Sequence, residues 1–180
     1  MTDLVTGEDF LRLFTSFEHT AFRLELRDQY NEPSERERFA AFLSGEAEQL
    51  DRLNKIQRVR WFDLMRDATS AGKRVERVRV VTEPHGDYTR YTLALTAGNA
   101  SVGEDIRYLP RHHTSVSALP SWDYWLFDSR LVARLWFDDG GDSRLLGAEL
   151  IEVPAQVVEH CAWRDAAWHY AIPHTEYTKG

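Results

Sequence analysis

Five acids fall where the chain is about to turn: Asp87, Glu104, Asp105, Asp123 and Asp128. Each stands at the end of an expected strand or helix, where an open α/β sheet assembles its sites. Carboxylates gathered on one edge could hold a divalent cation or divide acid and base roles, with Arg77, Arg90 and Arg107 as partner cations. The same residue types cap helices and solvate strand ends, so position alone leaves both readings open.

Other reactive residue types lack the spacing that chemistry requires. His112 and His113 are adjacent and have no helically spaced partner; side chains of neighbours in an extended segment point apart, so no metal is expected there. Cys161 follows His160, but neighbours on a helix do not face each other, and His169 lies too far along the same helix. Cys161 therefore reads as a buried structural cysteine. Gly140-Gly141 is followed by neither a helix nor a lysine and reads as a turn rather than a phosphate loop. No catalytic set, cofactor or metal site is expected.

The elements that would position these residues follow from periodicity. Phe10, Leu11, Phe14 and Phe17 predict a helix over residues 8–18, and Phe22, Leu24 and Leu26 alternate with Arg23, Glu25 and Arg27 as a half-buried strand. Ser34 and Glu37 form a capping-box pattern for a second helix, and residues 47–71 read as one long helical stretch with room for a single break. The valine-rich run from Val75 to Thr82 predicts a central strand. Residues 87–102 are ambiguous, because the threonines favour extension, and a helix is preferred. Strands are expected at 105–109, 123–128, 131–138 and 145–153, with turns at Ser129-Arg130 and Asp139–Asp142, and Pro154 starts a closing helix. In the hairpin DYWLFDSRLVARLWFD, Trp125 and Phe127 should face one side and Leu126 and Asp128 the other, with Asp128 reaching Arg77 or Arg107.

These elements predict a single α/β domain over 1–180: a helical part to about 72, a sheet-rich part over 73–153 and a closing helix over 154–172. The sheet is mixed, with a strand-helix-strand crossover, an antiparallel meander and flanking helices. At 180 residues, with 43% hydrophobic and 28% charged content, the chain can bury a core of roughly 70% of its unfolded surface. A start without a signal or spanning segment, and a single cysteine, place it in the cytoplasm with no membrane role. A net charge of −7 argues against direct nucleic-acid binding, and Lys73, Arg74, Arg77 and Arg79 alternate with valines as one strand face.

Four segments, FE…FRLE at 17–25, RVERVRVVTEPHGDYTRY, GEDIRYLPR and WLFDSRLVARLWFDDGGDSRLLGAEL, together with WRDAAWHYAIPHTEY, resemble a family of uncharacterised actinobacterial proteins commonly encoded beside helix-turn-helix regulators. A weaker similarity links the order of strands and helix to a half-unit of phospholipase D-like folds. Active members of that group carry a His-x-Lys pair, whose histidine attacks phosphorus. None exists here: the residues two before Lys55, Lys73 and Lys179 are Leu53, Ala71 and Tyr177. The resemblance implies a non-enzymatic regulatory or sensor protein that binds a protein partner, such as the neighbouring regulator, or a small ligand. Arg77, Arg90, Tyr91, Glu104, Arg107, Trp125 and Asp128 are the expected groove lining. The alternative is a hydrolytic or transfer enzyme using the acids and arginines of the sheet edge, and the sequence does not decide between monomer and homodimer.

Overall fold

The computed structural model describes residues 3–138 and 143–179, so the expected turn at Asp139–Asp142 lies outside the described residues. Seven strands join one mixed sheet: β1 (Thr20–Glu25), β2 (Arg74–Val81), β3 (Glu104–Pro110), β4 (Tyr124–Phe127), β5 (Leu131–Phe137), β6 (Leu145–Ile151) and β7 (Ile172–Pro173). Their spatial order is β6-β5-β4-β1-β2-β3-β7. The strands β1, β2 and β3 run parallel, whereas β4, β5 and β6 form the expected antiparallel meander against β1.

Parallel strands require cover on both faces. One face carries α1 (Gly7–Ser16), α4 (Val59–Ser70) and α5 (Asp87–Ser101), joined by α2 (Arg36–Leu43) and α3 (Ala47–Gln57). Its apolar end is built round Phe14, whose ring meets Trp61, Trp125 and Phe127 edge-on at 5.0, 4.8 and 5.4 Å. The other face packs Phe22, Leu24, Val78, Val80, Tyr124 and Leu126 with Val157 and Ala167 of α6 (Pro154–Tyr170). Trp125 and Phe127 thus share one core while Leu126 belongs to the other, as the two-residue period requires. Among the described residues no helix is long and apolar enough to cross a membrane.

Several local expectations change. β1 is not half-buried: Phe22 and Leu24 are fully enclosed on one side, and Arg23 and Glu25 are only 5% and 9% exposed on the other. Its place between β4 and β2, with helices on both faces, leaves no solvent face for the charged residues. Residues 87–101 form the preferred helix, and the Thr92 and Thr96 hydroxyls donate to carbonyls one turn back, which accommodates threonine in a helix. The stretch at 47–71 breaks at Arg58 between α3 and α4. Ser34 lies in a 3-10 turn rather than capping α2, and Glu37 instead accepts from the Gln57 side chain at 2.8 Å. After α6 the chain adds β7 to the β3 edge and closes with α7 (His174–Tyr177), whose Tyr177 stacks on Tyr108 at 4.7 Å. Cys161 is only partly buried; the enclosed neighbour is His160, 2% exposed beneath Tyr124.

The β4-β5 hairpin turns through Asp128 and Ser129, both at positive φ (53° and 52°), the backbone a two-residue turn of this hand needs. The Asp128 carboxylate accepts from the amides of Glu18, His19 and Thr20 at 2.8, 2.7 and 2.9 Å, rather than reaching Arg77 or Arg107. It is a clamp between the hairpin and the entry to β1. Phe127→Ala should cost about 3–5 kcal/mol in urea unfolding, as a core aromatic truncation. Asp128→Ala should cost about 1–3 kcal/mol by orphaning those amides. A loss below about 0.5 kcal/mol for either variant would remove that residue from the frame.

Candidate functional site

The sheet face that carries the Phe14 core changes character toward the C-terminal ends of β1 and β2. Parallel pairing sets Arg23 opposite Arg77 and Glu25 opposite Arg79, and antiparallel pairing sets Arg23 opposite Trp125. Each of these residues is on the inward phase of its strand. Three guanidinium groups are therefore side by side inside the protein, an arrangement that is tolerable only with compensating acids.

Glu25 is the shared acceptor. Its Oε1 takes Arg77 Nη1 at 2.5 Å and is 3.6 Å from Arg23 Nε, while Oε2 takes Arg79 Nε at 2.7 Å. Two further carboxylates close the cluster. Asp123 accepts from Arg23 Nη2 (3.1 Å), the Tyr30 hydroxyl (2.5 Å) and the Leu26 amide (3.0 Å). Glu104 accepts from Arg77 Nη2 (3.1 Å), the Trp61 indole N–H (3.3 Å) and the Asn99 amide group. Arg77 and Arg23 also lie over the Trp125 ring, at 5.4 and 5.8 Å.

Burial acts first on each of these groups, and the neighbours decide the outcome. For Glu25, burial pushes the carboxyl up, but Arg79, Arg77 and Arg23 together hold it well below the usual carboxylate range. For Asp123, burial prevails over Arg23 and the Tyr30 hydrogen bond, and the carboxyl is raised. Burial, followed by the negative charges of Asp123 and Glu25, raises the Tyr30 hydroxyl well above its ordinary value. Arg58, at the α3-α4 break, is pushed down to about 10 by burial and then by the nearby Arg38 cation. Charge is balanced at the sheet, and under the helices Arg38 and Arg58 share the space with Glu35 and Glu32, whose carboxyl is raised by burial and then by Glu35.

Between these two layers lies a cavity of about 340 Å³. Its floor is Arg23, Glu25, Arg77 and Arg79; Arg38, Arg58, Thr92 and Asn99 are contributed by the helices, and Trp61, Tyr30, Leu135 and Phe137 supply aromatic and aliphatic walls. The lining contains no histidine, lysine or cysteine. Among the described residues no group of three or more His, Cys, Asp or Glu side chains is placed to hold a metal ion.

Of the seven residues expected to line a groove, the fold brings Arg77, Glu104 and Trp125 together. Tyr91 is enclosed near the helical side, its ring 5.3 and 5.6 Å from those of Phe39 and Phe42. Arg90 is exposed on α5 and pairs with Asp87. Arg107 points to the opposite sheet face, stacked on Trp168 at 3.7 Å and paired with Asp105. Asp128 stands at the far end of β4, in its clamp. Sequence reasoning missed Arg23 and Glu25, because charge alternating with Phe22 and Leu24 reads as a wet face. The available signal was the matching Arg77-x-Arg79 alternation in a strand expected to be central.

A family model described as a domain of unknown function, DUF6879, matches residues 8–179. The chain belongs to this family. No curated protein matches a DUF6879 chain of this sequence. Among solved structures, this DUF6879 chain is similar to Nuc from Salmonella typhimurium, a phospholipase D family member, at 11% identity and a TM-score of 0.50 over 91% of this chain and 89% of that one. It is also similar to NucT from Helicobacter pylori, at 6% identity and a TM-score of 0.50 over 92% and 89%. At such identities the likeness is one of fold alone: the α/β sheet with flanking helices is similar to that of these two structures.

Glu25→Gln removes the shared anion and should lower stability at neutral pH by about 3–5 kcal/mol, measured by urea unfolding. The acid limb should change as well. With its folded value depressed, Glu25 contributes fully above the ordinary glutamate value of about 4.3, and the contribution is lost as pH falls below it. Asp123 has the opposite sign: its contribution is present at low pH and is lost as pH rises through its raised value. The parent should therefore destabilise more steeply below about pH 4.3 than Glu25→Gln. Equal acid limbs would exclude Glu25 as the organising anion.

Proposed function

We propose that the protein is a non-enzymatic regulatory or sensor protein of the cytoplasm that takes a small ligand into the cavity between β1, β2 and the helices above them. The observation that carries this reading is a ligand-sized polar cavity whose lining, among the described residues, has donors, acceptors and aromatic walls but no histidine, lysine or cysteine. The lining's hydroxyls are those of Ser34, Thr89, Thr92, Tyr30 and Tyr88; the two phenols donate to Asp123 and Glu35, and burial together with those acids raises both, so neither is a ready nucleophile. Lys55 pairs with Asp51 on exposed α3, and Lys73 donates to the Phe17 carbonyl, so neither supplies the phosphate-holding lysine of an active phospholipase D-like site. A shared fold does not carry an activity.

An enzyme is the second reading, favoured by the similarity to a phospholipase D family member and by the raised carboxyl of Asp123 beside Tyr30. Against it, both Asp123 oxygens are already engaged, by Arg23, Tyr30 and the Leu26 amide. Asp123 also does not belong to the cavity lining, so its carboxyl is not presented to a molecule bound there. The resemblance to proteins encoded beside helix-turn-helix regulators supplies the partner in this proposal: such a regulator would read the ligand-bound state.

Two measurements test the proposal. Purified protein incubated with bis(p-nitrophenyl) phosphate and with plasmid DNA, with and without divalent ions, should release no product above the blank. Co-purification with the neighbouring regulator should depend on the state of the cavity. Turnover that disappears in Arg77→Gln would establish the hydrolase reading instead.

A further inference from the structure

The cavity's hydrogen-bond inventory is lopsided. On the floor, both oxygens of Glu25, both of Asp123 and both of Glu104 already accept from protein donors. Under the helices, Glu35 Oε2 accepts from the Tyr88 hydroxyl at 2.6 Å, and its Oε1 faces Arg38 at 3.8 Å. Among the described residues that line the cavity, the enclosed side-chain atoms without a protein partner are all donors: Arg23 Nη1, Arg38 Nε, Arg77 Nε and Arg79 Nη1. All four belong to residues that line the cavity, and Arg23 and Arg38 are each only 5% exposed. Buried polar groups are otherwise almost always paired, and four from one residue type around one space define a single chemical demand.

Charged donors are best met by a charged acceptor. Arg38 and Arg58 also repel each other across the helical side of the cavity, where Glu35 is the acid in contact with Arg38. An anion between the helices and the floor would relieve that repulsion and occupy the free N–H groups together. At about 340 Å³ the space equals roughly eleven water volumes, far more than a bare oxyanion fills. The surplus is bounded by rings and aliphatic side chains, which suits an apolar body.

We infer that the ligand is a small organic anion whose carboxylate or phosphate group sits between Arg38 above and Arg23, Arg77 and Arg79 below, with its apolar body against Trp61 and Phe137. The inference rests on reading the cavity as a ligand site and adds the ligand's chemical class.

The test is a thermal-shift and Trp-fluorescence titration of the full chain with phenyl phosphate, benzoate, inorganic phosphate, neutral benzamide and cationic benzylamine. Phenyl phosphate or benzoate should raise Tm and saturate, inorganic phosphate should bind more weakly, and the neutral and cationic probes should do nothing. The stronger of the first two identifies the head group as phosphate or carboxylate. Arg38→Gln and Arg58→Gln are the diagnostic variants: each loses a contact, with Glu35 or with Asn99, but also removes the repulsion between the two cations, so the free protein should stay folded. Arg38→Gln should nevertheless weaken the anion's Kd by about tenfold to a hundredfold, the loss expected for one charged hydrogen bond. Binding of benzamide or benzylamine as tight as benzoate would overturn the anion assignment while leaving the receptor reading intact. Turnover of a probe would overturn the receptor reading and leave the assignment. No response to any probe, or unchanged anion affinity in both variants, would overturn the assignment and leave water as the occupant of those donors.

Discussion

The carboxylate of Glu25 holds three guanidinium groups in the interior of a β-sheet. Without it, Arg79 would lose its ion pair, and Arg23 and Arg77, neighbours across β1 and β2 on an enclosed face, would keep one carboxylate each, Asp123 and Glu104. With it, the two central parallel strands can be charged on one side and apolar on the other while remaining buried on both. Asp123 and Glu104 extend the arrangement to β4 and β3, so the ion network crosses four adjacent strands in the order they take in the sheet. Such a network is a weak source of net stability, since desolvation offsets most of the attraction. It fixes register instead: sliding β1 by one residue would bring Phe22 and Leu24 to the charged side.

The helices follow from the same constraint. Above this part of the face the helices contribute polar groups, Asn99 and Trp61 donating to Glu104 and Tyr88 to Glu35, and leave a space rather than a seal. Where the floor is apolar, near Phe14, packing is continuous and aromatic. The cavity is thus the seam between two packing regimes on one sheet face.

How much of this was legible depended on whether a residue's neighbours lie nearby in sequence. The helix over 87–101 is the preferred of two readings because its threonines also favour extension, whereas the valine run of β2 and the β4-β5 hairpin announce themselves through local pattern and turn chemistry. Arg23 and Glu25 do not, because alternating charge is the ordinary signature of a wet face and only their pairing partners show that the face is dry. Arg107 shows the converse. Its spacing resembles that of Arg77, but it occupies the opposite phase of β3 and ends on Trp168. β7 was invisible for a simpler reason: two residues cannot display a period.

The central position of β1 also bears on how the protein reaches this structure. Arg23 and Asp123 are separated by 100 residues along the chain, and Asp128 closes on Thr20 across 108. The unit β2-α5-β3, by contrast, is assembled from contiguous sequence. Contacts of such long range demand that loop-closure entropy be lost before the strand pairs that compensate for it exist. The local crossover can therefore form first, with one edge of β2 exposed and two arginines lacking their glutamate. A strand from residues 20–25 that pairs with β4 on one side and β2 on the other joins two units that are each contiguous in sequence, and the charge network is complete only with that strand in place.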